Sequence, residues 1–79
     1  MKDHMEYQQA LGQVIRDRRV KRGFSPEKLA RIIGAEVSYI AAVESGEGDM
    51  GLSEMILMAR ALGIPLSTLL ALAEARLDC

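Results

Sequence analysis

One cysteine, no tryptophan, two prolines and 4% aromatic residues leave this chain of 79 residues few of the usual structural staples. Cys79 has no second thiol to pair with, so no intrachain disulfide can hold the fold, which suits a reducing compartment and an exposed thiol without function. The single histidine, His4, falls in a stretch that reads as a flexible tail over residues 1–7. No cluster of residues has metal-ligand spacing, so neither a zinc site nor a nucleophile–base pair can be assembled. Catalysis, metals and cofactors are therefore not expected, and no site for a small-molecule ligand is evident. Met1–Tyr7 lack the apolar core of a signal peptide, and no apolar run approaches the ~20 residues of a membrane span. The expectation is a cytoplasmic protein without a membrane partner.

What the chain does have is leucine, alanine, isoleucine and methionine. An apolar share of 49% with so few aromatics describes a helical domain rather than a β-sandwich or a disordered tail. Seventy-nine residues bury only a modest core, so a partner chain is plausible from size alone. Net charge is −1, yet residues 1–35 hold eight Lys/Arg against four Asp/Glu while residues 36–79 hold two against seven. A polyanion would be met by the first half, although a run such as Arg16–Arg22 is also what the solvated face of a helix looks like.

Periodicity and punctuation predict five helices in one domain over residues 8–79. From about Gln8 to Arg22, Leu11, Val14 and Ile15 mark one face, and Gly23 stops the helix. Ser25 supplies a capping oxygen and Pro26 a first-turn proline, with Glu27 at the positive end of the dipole. The second helix runs to about Ile33, and Gly34 permits the left-handed turn. A third starts near Glu36 or Val37, buries Ile40 and Val43, and ends at Ser45-Gly46. After a loop at 47–51, Leu52, Met55, Ile56, Ala59 and Leu62 recur at helical spacing up to Gly63. Pro65 opens the last helix, where Leu66, Leu69, Leu70, Ala73 and Leu77 are expected on one side and Leu72 on another. Helices two and three, with small residues where they touch or turn, read as a helix-turn-helix.

Leu11-Gly12, Ile15-Arg16, Arg19, Gly23-Phe24-Ser25, Leu29-Ala30, Gly34, Ser38-Tyr39-Ile40, Glu44, Gly46, Ala61-Leu62-Gly63 and Leu69-Leu70 together resemble the lambda-repressor-like, or Cro/repressor-type, helix-turn-helix family of bacterial and phage regulators. The match covers about residues 11–72. It implies an all-α, compact five-helix domain, usually a homodimer, that binds double-stranded operator DNA with helix three in the major groove. Carried over by position, the base-reading residues are Glu36, Val37, Ser38 and Ala42, and the phosphate-contacting ones are Ser25, Lys28, Tyr39 and Ser45. Arg19 and Glu44 match a structural ion pair. Leu66, Leu69, Leu70, Leu72 and Ala73 are the candidate dimer residues, with Met55 and Met58 as adaptable apolar surface. Plainer roles stand beside these: Ser25 and Glu36 as caps, Ser38 as an early-turn residue, Ala42 as a helix former.

Three departures cut against strong DNA binding. Pro26 stands where the family commonly has Gln, Ala42 and Ser45 where it often has Arg, and Glu47 and Asp49 where the loop is often basic. Since phosphate neutralisation supplies most non-specific affinity, losing those cations weakens it. The leading expectation is a sequence-specific regulator acting as a homodimer on a roughly palindromic operator. The alternative is a protein-interaction module on the same scaffold, an antitoxin-like or antirepressor-like partner with weak or no DNA binding.

Overall fold

The computed structural model describes residues 4–77, with side chains from residue 6 onward, as five helices: α1 (His4–Lys21), α2 (Pro26–Ile33), α3 (Val37–Glu44), α4 (Leu52–Leu62) and α5 (Leu66–Leu77). Among the described residues there is no strand. Cys79 and residues 1–3 of the expected tail lie outside the described residues. The rest of that tail is a correction: α1 begins at His4, four residues ahead of Gln8. Tyr7, Gln8 and Leu11 line a groove with Met50, Met55 and Leu70, so the first turns of α1 are held by tertiary packing that local propensity does not reveal.

The core is a single cluster centred on Ile15, Leu29, Ile40, Met58 and Leu69, one residue from each helix and none more than 2% exposed. Around them Ala10, Val14, Ala30, Val43, Ala59, Leu62 and Ala73 complete the apolar interior. Two small residues decide how closely the helices meet. A β-carbon on Gly12 would collide with the Val43 carbonyl oxygen and lie 3.0 Å from that of Glu44, so α1 crosses the end of α3 at backbone distance. Gly34, at φ 72° and ψ 34°, turns the chain between α2 and α3 while its N–H and that of Ala35 bond back to Arg31 and Ala30.

Helix α5 lies along α1, and its phase differs from expectation. Leu69 and Ala73 are buried in the core, Leu66, Leu72 and Leu77 are half-buried against it, and Leu70 is the leucine left exposed. Leu72 sits three residues from Leu69, on the same stripe, whereas Leu70 is rotated ~100° away from it. Arg76 fastens the pair of helices by donating to Gln13 Oε1 at 3.0 Å and pairing with Asp17. Met58, expected as adaptable surface, is wholly buried.

Candidate nucleic-acid interface

The start of α3 stands clear of the rest of the domain. Glu36 is the N-cap residue, with extended backbone (φ −82°, ψ 150°), and its carboxylate makes no capping bond. Glu36, Val37 and Ser38 are all exposed, although Val37 is apolar and 42% accessible. One turn on, Ala41 is exposed and Ala42 is half-buried, because the chain folds back there: the Ala42 carbonyl accepts from the Ser45 hydroxyl and from the N–H groups of Glu47 and Gly48. The outward face of α3 is thus set by Glu36, Val37, Ser38 and Ala41, with Ala42 at its edge.

Beneath that face α3 is locked to α1 by an ion pair. Arg19 Nε donates to Glu44 Oε2 at 2.6 Å and Nη2 to Oε1 at 3.1 Å, with both side chains only 11% exposed. Arg19 Nη1 also donates to the Phe24 carbonyl at 2.9 Å, tying the end of α1 into the same joint. The hydrogen bonds to Glu44 hold the guanidinium above its usual pKa, against the opposing effect of burial. This is the fork geometry in which arginine, but not lysine, makes two parallel bonds to one carboxylate.

The expected phosphate contacts divide. Ser25 caps α2, its hydroxyl oxygen accepting from the Lys28 N–H at 3.1 Å, and both residues are exposed at a helix start that also carries Pro26. The capping oxygen still has its own proton to donate. Ser45 does not: its hydroxyl lies 2.9 Å from the Ala42 carbonyl and 3.3 Å from a Glu47 carboxylate oxygen, so its proton is used within the turn and an acid stands beside it. Tyr39 is the second correction. Its hydroxyl is buried, without an acceptor among the described residues, in a recess lined by Ile33, Gly34, Ala35, Glu54 and Leu57. Burial, and then the charge of Glu54, push its pKa above the usual tyrosine value. In this conformation the hydroxyl is not presented at the surface.

Arg16 is the exposed cation that sequence reasoning did not single out as a site residue. Arg16, Pro26, Ala41 and Ser45 line an open recess between α1, the start of α2 and the end of α3, floored by Arg19 and Glu44. Arg16 is exposed, and among the described residues it has no ion-pair partner. The signal was available: Arg16 precedes Arg19 by three residues, so both project from one face of α1. Arg22, by contrast, is occupied, its guanidinium 5.3 Å from the Phe24 ring centroid and packed where a side chain on Gly63 would collide with it.

Away from α3, the candidate dimer residues are mostly spent inside the monomer. Leu69 and Ala73 belong to the core, and Leu66 and Leu72 are half-buried against it, so Leu70 alone of the five is exposed. Leu70 borders an apolar groove of about 280 Å³ whose walls include Tyr7, Leu11, Met50 and Met55. Leu52 and Ile56, 63% and 40% exposed, add apolar surface on α4. No single helix is long and apolar enough to cross a membrane.

Comparison with known proteins places these features in context. A family profile described as helix-turn-helix matches residues 15–69. A hypothetical transcription factor from Neisseria meningitidis serogroup B is 36% identical over 75 residues, spanning 95% of this chain and 71% of the relative. Among solved structures, the hypothetical transcription factor NHTF from Neisseria superposes with a TM-score of 0.81 at 35% identity, covering 99% of this chain and 90% of that one. The restriction-modification controller protein C.AhdI from Aeromonas hydrophila superposes with a TM-score of 0.75 at 34% identity, covering 78% and 94%. The clp gene regulator ClgR from Corynebacterium glutamicum, at 23% identity and a TM-score of 0.84 over 87% and 88%, shares the fold.

Proposed function

This chain belongs to the Cro/C1-type helix-turn-helix family of transcription regulators, and from that premise we propose that it is a sequence-specific regulator that binds a roughly palindromic operator as a homodimer. The observation that carries this reading is the uncovered start of α3, where Glu36, Val37 and Ser38 are exposed together, with exposed Arg16 in the recess at the other end of the same helix. A helix start of that width enters a major groove of ~12 Å, while the recess at Arg16 and the capped start of α2 meet the adjoining backbone. The recess offers an arginine and a helix N-terminus, the two groups that most commonly hold phosphate. Similarity to a restriction-modification controller and to a transcription factor supports the same role.

The dimer supplies what one domain lacks. Few cations face the DNA, so useful affinity requires two copies on half-sites about one helical turn, ~34 Å, apart. A second copy would cover the apolar groove at Leu70 together with Leu52 and Ile56, apolar surface that has no use in a monomer. The compartment that follows is the cytoplasm, on the nucleoid when bound.

One observation favours the alternative of a protein-interaction module: no Lys or Arg occurs from Glu36 to Ala59, and the Glu47 carboxylate lies beside Ser45. Fluorescence anisotropy of labelled duplex from the gene's own upstream region, with a scrambled duplex as control and a salt series, separates the two. Specific binding that weakens steeply with salt, and weakens further in Arg16→Gln, supports the operator reading. Equal, weak binding of both duplexes by folded protein refutes it and points to a protein partner.

A further inference from the structure

Resting on the operator reading, we propose that α3 selects its half-site through pyrimidine edges, with Val37 packing on the C5 methyl of a pyrimidine and the Glu36 carboxylate accepting from a cytosine amino group. Purine edges in the major groove are read by bidentate Arg or Lys on guanine and by Asn or Gln on adenine. None of these residue types occurs between Glu36 and Ala59, and the chain has no asparagine at all. Its three glutamines lie on α1, and each is engaged elsewhere. Gln13 accepts from Arg76, Gln9 packs against Gly46, and Gln8 lines the apolar groove.

What α3 does present is matched to the other two bases. Val37 holds 42% of its surface open to solvent at the leading turn, where an apolar side chain gains only by burial against another apolar group. In the major groove the pyrimidine C5 methyl is that group. Glu36 makes no capping bond and is exposed; an ionised carboxylate accepts only, so it matches the cytosine amino donor, and it opposes the acceptor edges of guanine and thymine and the N7 acceptor that adjoins the adenine amino group. Ser38 donates or accepts and discriminates little, and Ala41 lets the helix sit close to the groove floor. The preferred sequence under the start of α3 is therefore a cytosine-and-thymine step on one strand.

The C5 methyl belongs to thymine and equally to 5-methylcytosine, and the test distinguishes the two. A duplex is selected from a random library with the full chain, then resynthesised with deoxyuridine for thymidine, which removes methyls and leaves every phosphate in place. Burial of one methyl corresponds to about a fourfold change in affinity, so losing one in each half-site is expected to weaken binding about fifteenfold. In Val37→Ala, an exposed substitution that should leave folding intact, the same replacement is expected to cost less than about twofold. Selective recovery by 5-methylcytosine over cytosine at that position assigns the contact to the methyl itself; recovery by neither assigns it to thymine as a whole. A selected duplex indifferent to deoxyuridine, or one with no cytosine-and-thymine step on either strand under α3, overturns the inference and leaves the operator reading standing. Failure to select any sequence overturns both.

Discussion

Arg19→Ala tests the joint that sets the position of α3. The substitution removes two charge-assisted hydrogen bonds to Glu44, at 2.6 and 3.1 Å, and the 2.9 Å bond to the Phe24 carbonyl. It leaves a carboxylate whose side chain is 11% exposed with no cation beside it. Breaking such a buried pair from one side costs about 3–5 kcal/mol, chiefly because the surviving charge is stranded. Some water access places this pair near ~3 kcal/mol. A domain of this length has a total stability of about 4–12 kcal/mol, so the loss is a large share of it. Each kcal/mol moves the midpoint of a small domain by about 4–8 °C, and the expected fall in Tm is roughly 12–24 °C. Scanning calorimetry on the folded protein measures it directly.

The double variant Arg19→Met, Glu44→Leu separates a stranded charge from lost packing. With both charges gone nothing is left uncompensated, and most of the stability should return. The coupling between the two sites in a double-mutant cycle should then exceed about 1 kcal/mol. A midpoint for Arg19→Ala within about 4 °C of the parent, or two single effects that simply add, would refute the reasoning.

Gly12→Ala should unfold the domain or cost about 3 kcal/mol or more, since the added carbon meets backbone carbonyls of Val43 and Glu44 that cannot rotate away; urea midpoints will show it. Tyr39→Phe removes a buried hydroxyl that has no acceptor among the described residues, so stability at pH 7 should hold or rise by up to about 1 kcal/mol, and DNA affinity should not change. Because the folded chain holds the Tyr39 pKa above its unfolded value of 10.0, its contribution is complete below pH 10 and fades as pH rises through the folded value. The alkaline decline of urea midpoints should therefore be shallower in Tyr39→Phe than in the parent. Leu70→Lys should leave the chain folded yet convert a dimer to a monomer by light scattering, with a midpoint that no longer depends on protein concentration, whereas Leu69→Lys, inside the core, should abolish folding.

Most of the architecture was legible because its signals are local. Gly34 marks a helix end by backbone conformation alone, and Ser25-Pro26 marks a start by capping and a fixed φ. The Arg19–Glu44 pair was legible only through family resemblance, since 25 residues separate its members. The misplaced side chains of α4 and α5 sit at the margins of a helical stripe, where a shift of one residue turns a side chain by ~100°. Leu70 and Leu72 exchange roles for that reason, and Met58 is buried at an edge that looked adaptable. Tyr39 lies at the boundary of α3, half in and half out, and its sequence context does not say which way the ring swings. The early start of α1 depends on the groove wall at Met50 and Met55, more than 40 residues distant.

The distribution of charge leads to a quantitative expectation for DNA binding. Arg19 is consumed by Glu44, Arg22 by Phe24 and the end of α4, and Arg76 by Asp17. Arg18 and Lys21 line a broad recess that also includes Arg16 and Glu44 and reaches Leu72 and Ala75 of α5. Taking Arg16, in the recess by the end of α3, and Lys28, in the first turn of α2, as the cations that meet the backbone leaves Arg31 and Arg60 outside the contact, and Glu47 lies beside Ser45 at the end of α3. Two phosphates neutralised per protomer give about four per dimer, hence a slope of log affinity against log salt near −3.6. Raising salt from 50 to 200 mM should then weaken specific binding about 150-fold, a shallow dependence for an operator-binding dimer. Arg16→Gln should reduce the slope by about 0.9 for each arginine lost, while Val37→Ala should leave the slope alone and lower the affinity. A slope of −7 or steeper would mean that Arg18, Lys21 or Arg31 also reaches the backbone. In that case the protein would rock toward α1 on its site, and the assignment of the base-reading face to Glu36, Val37 and Ser38 would have to be redrawn.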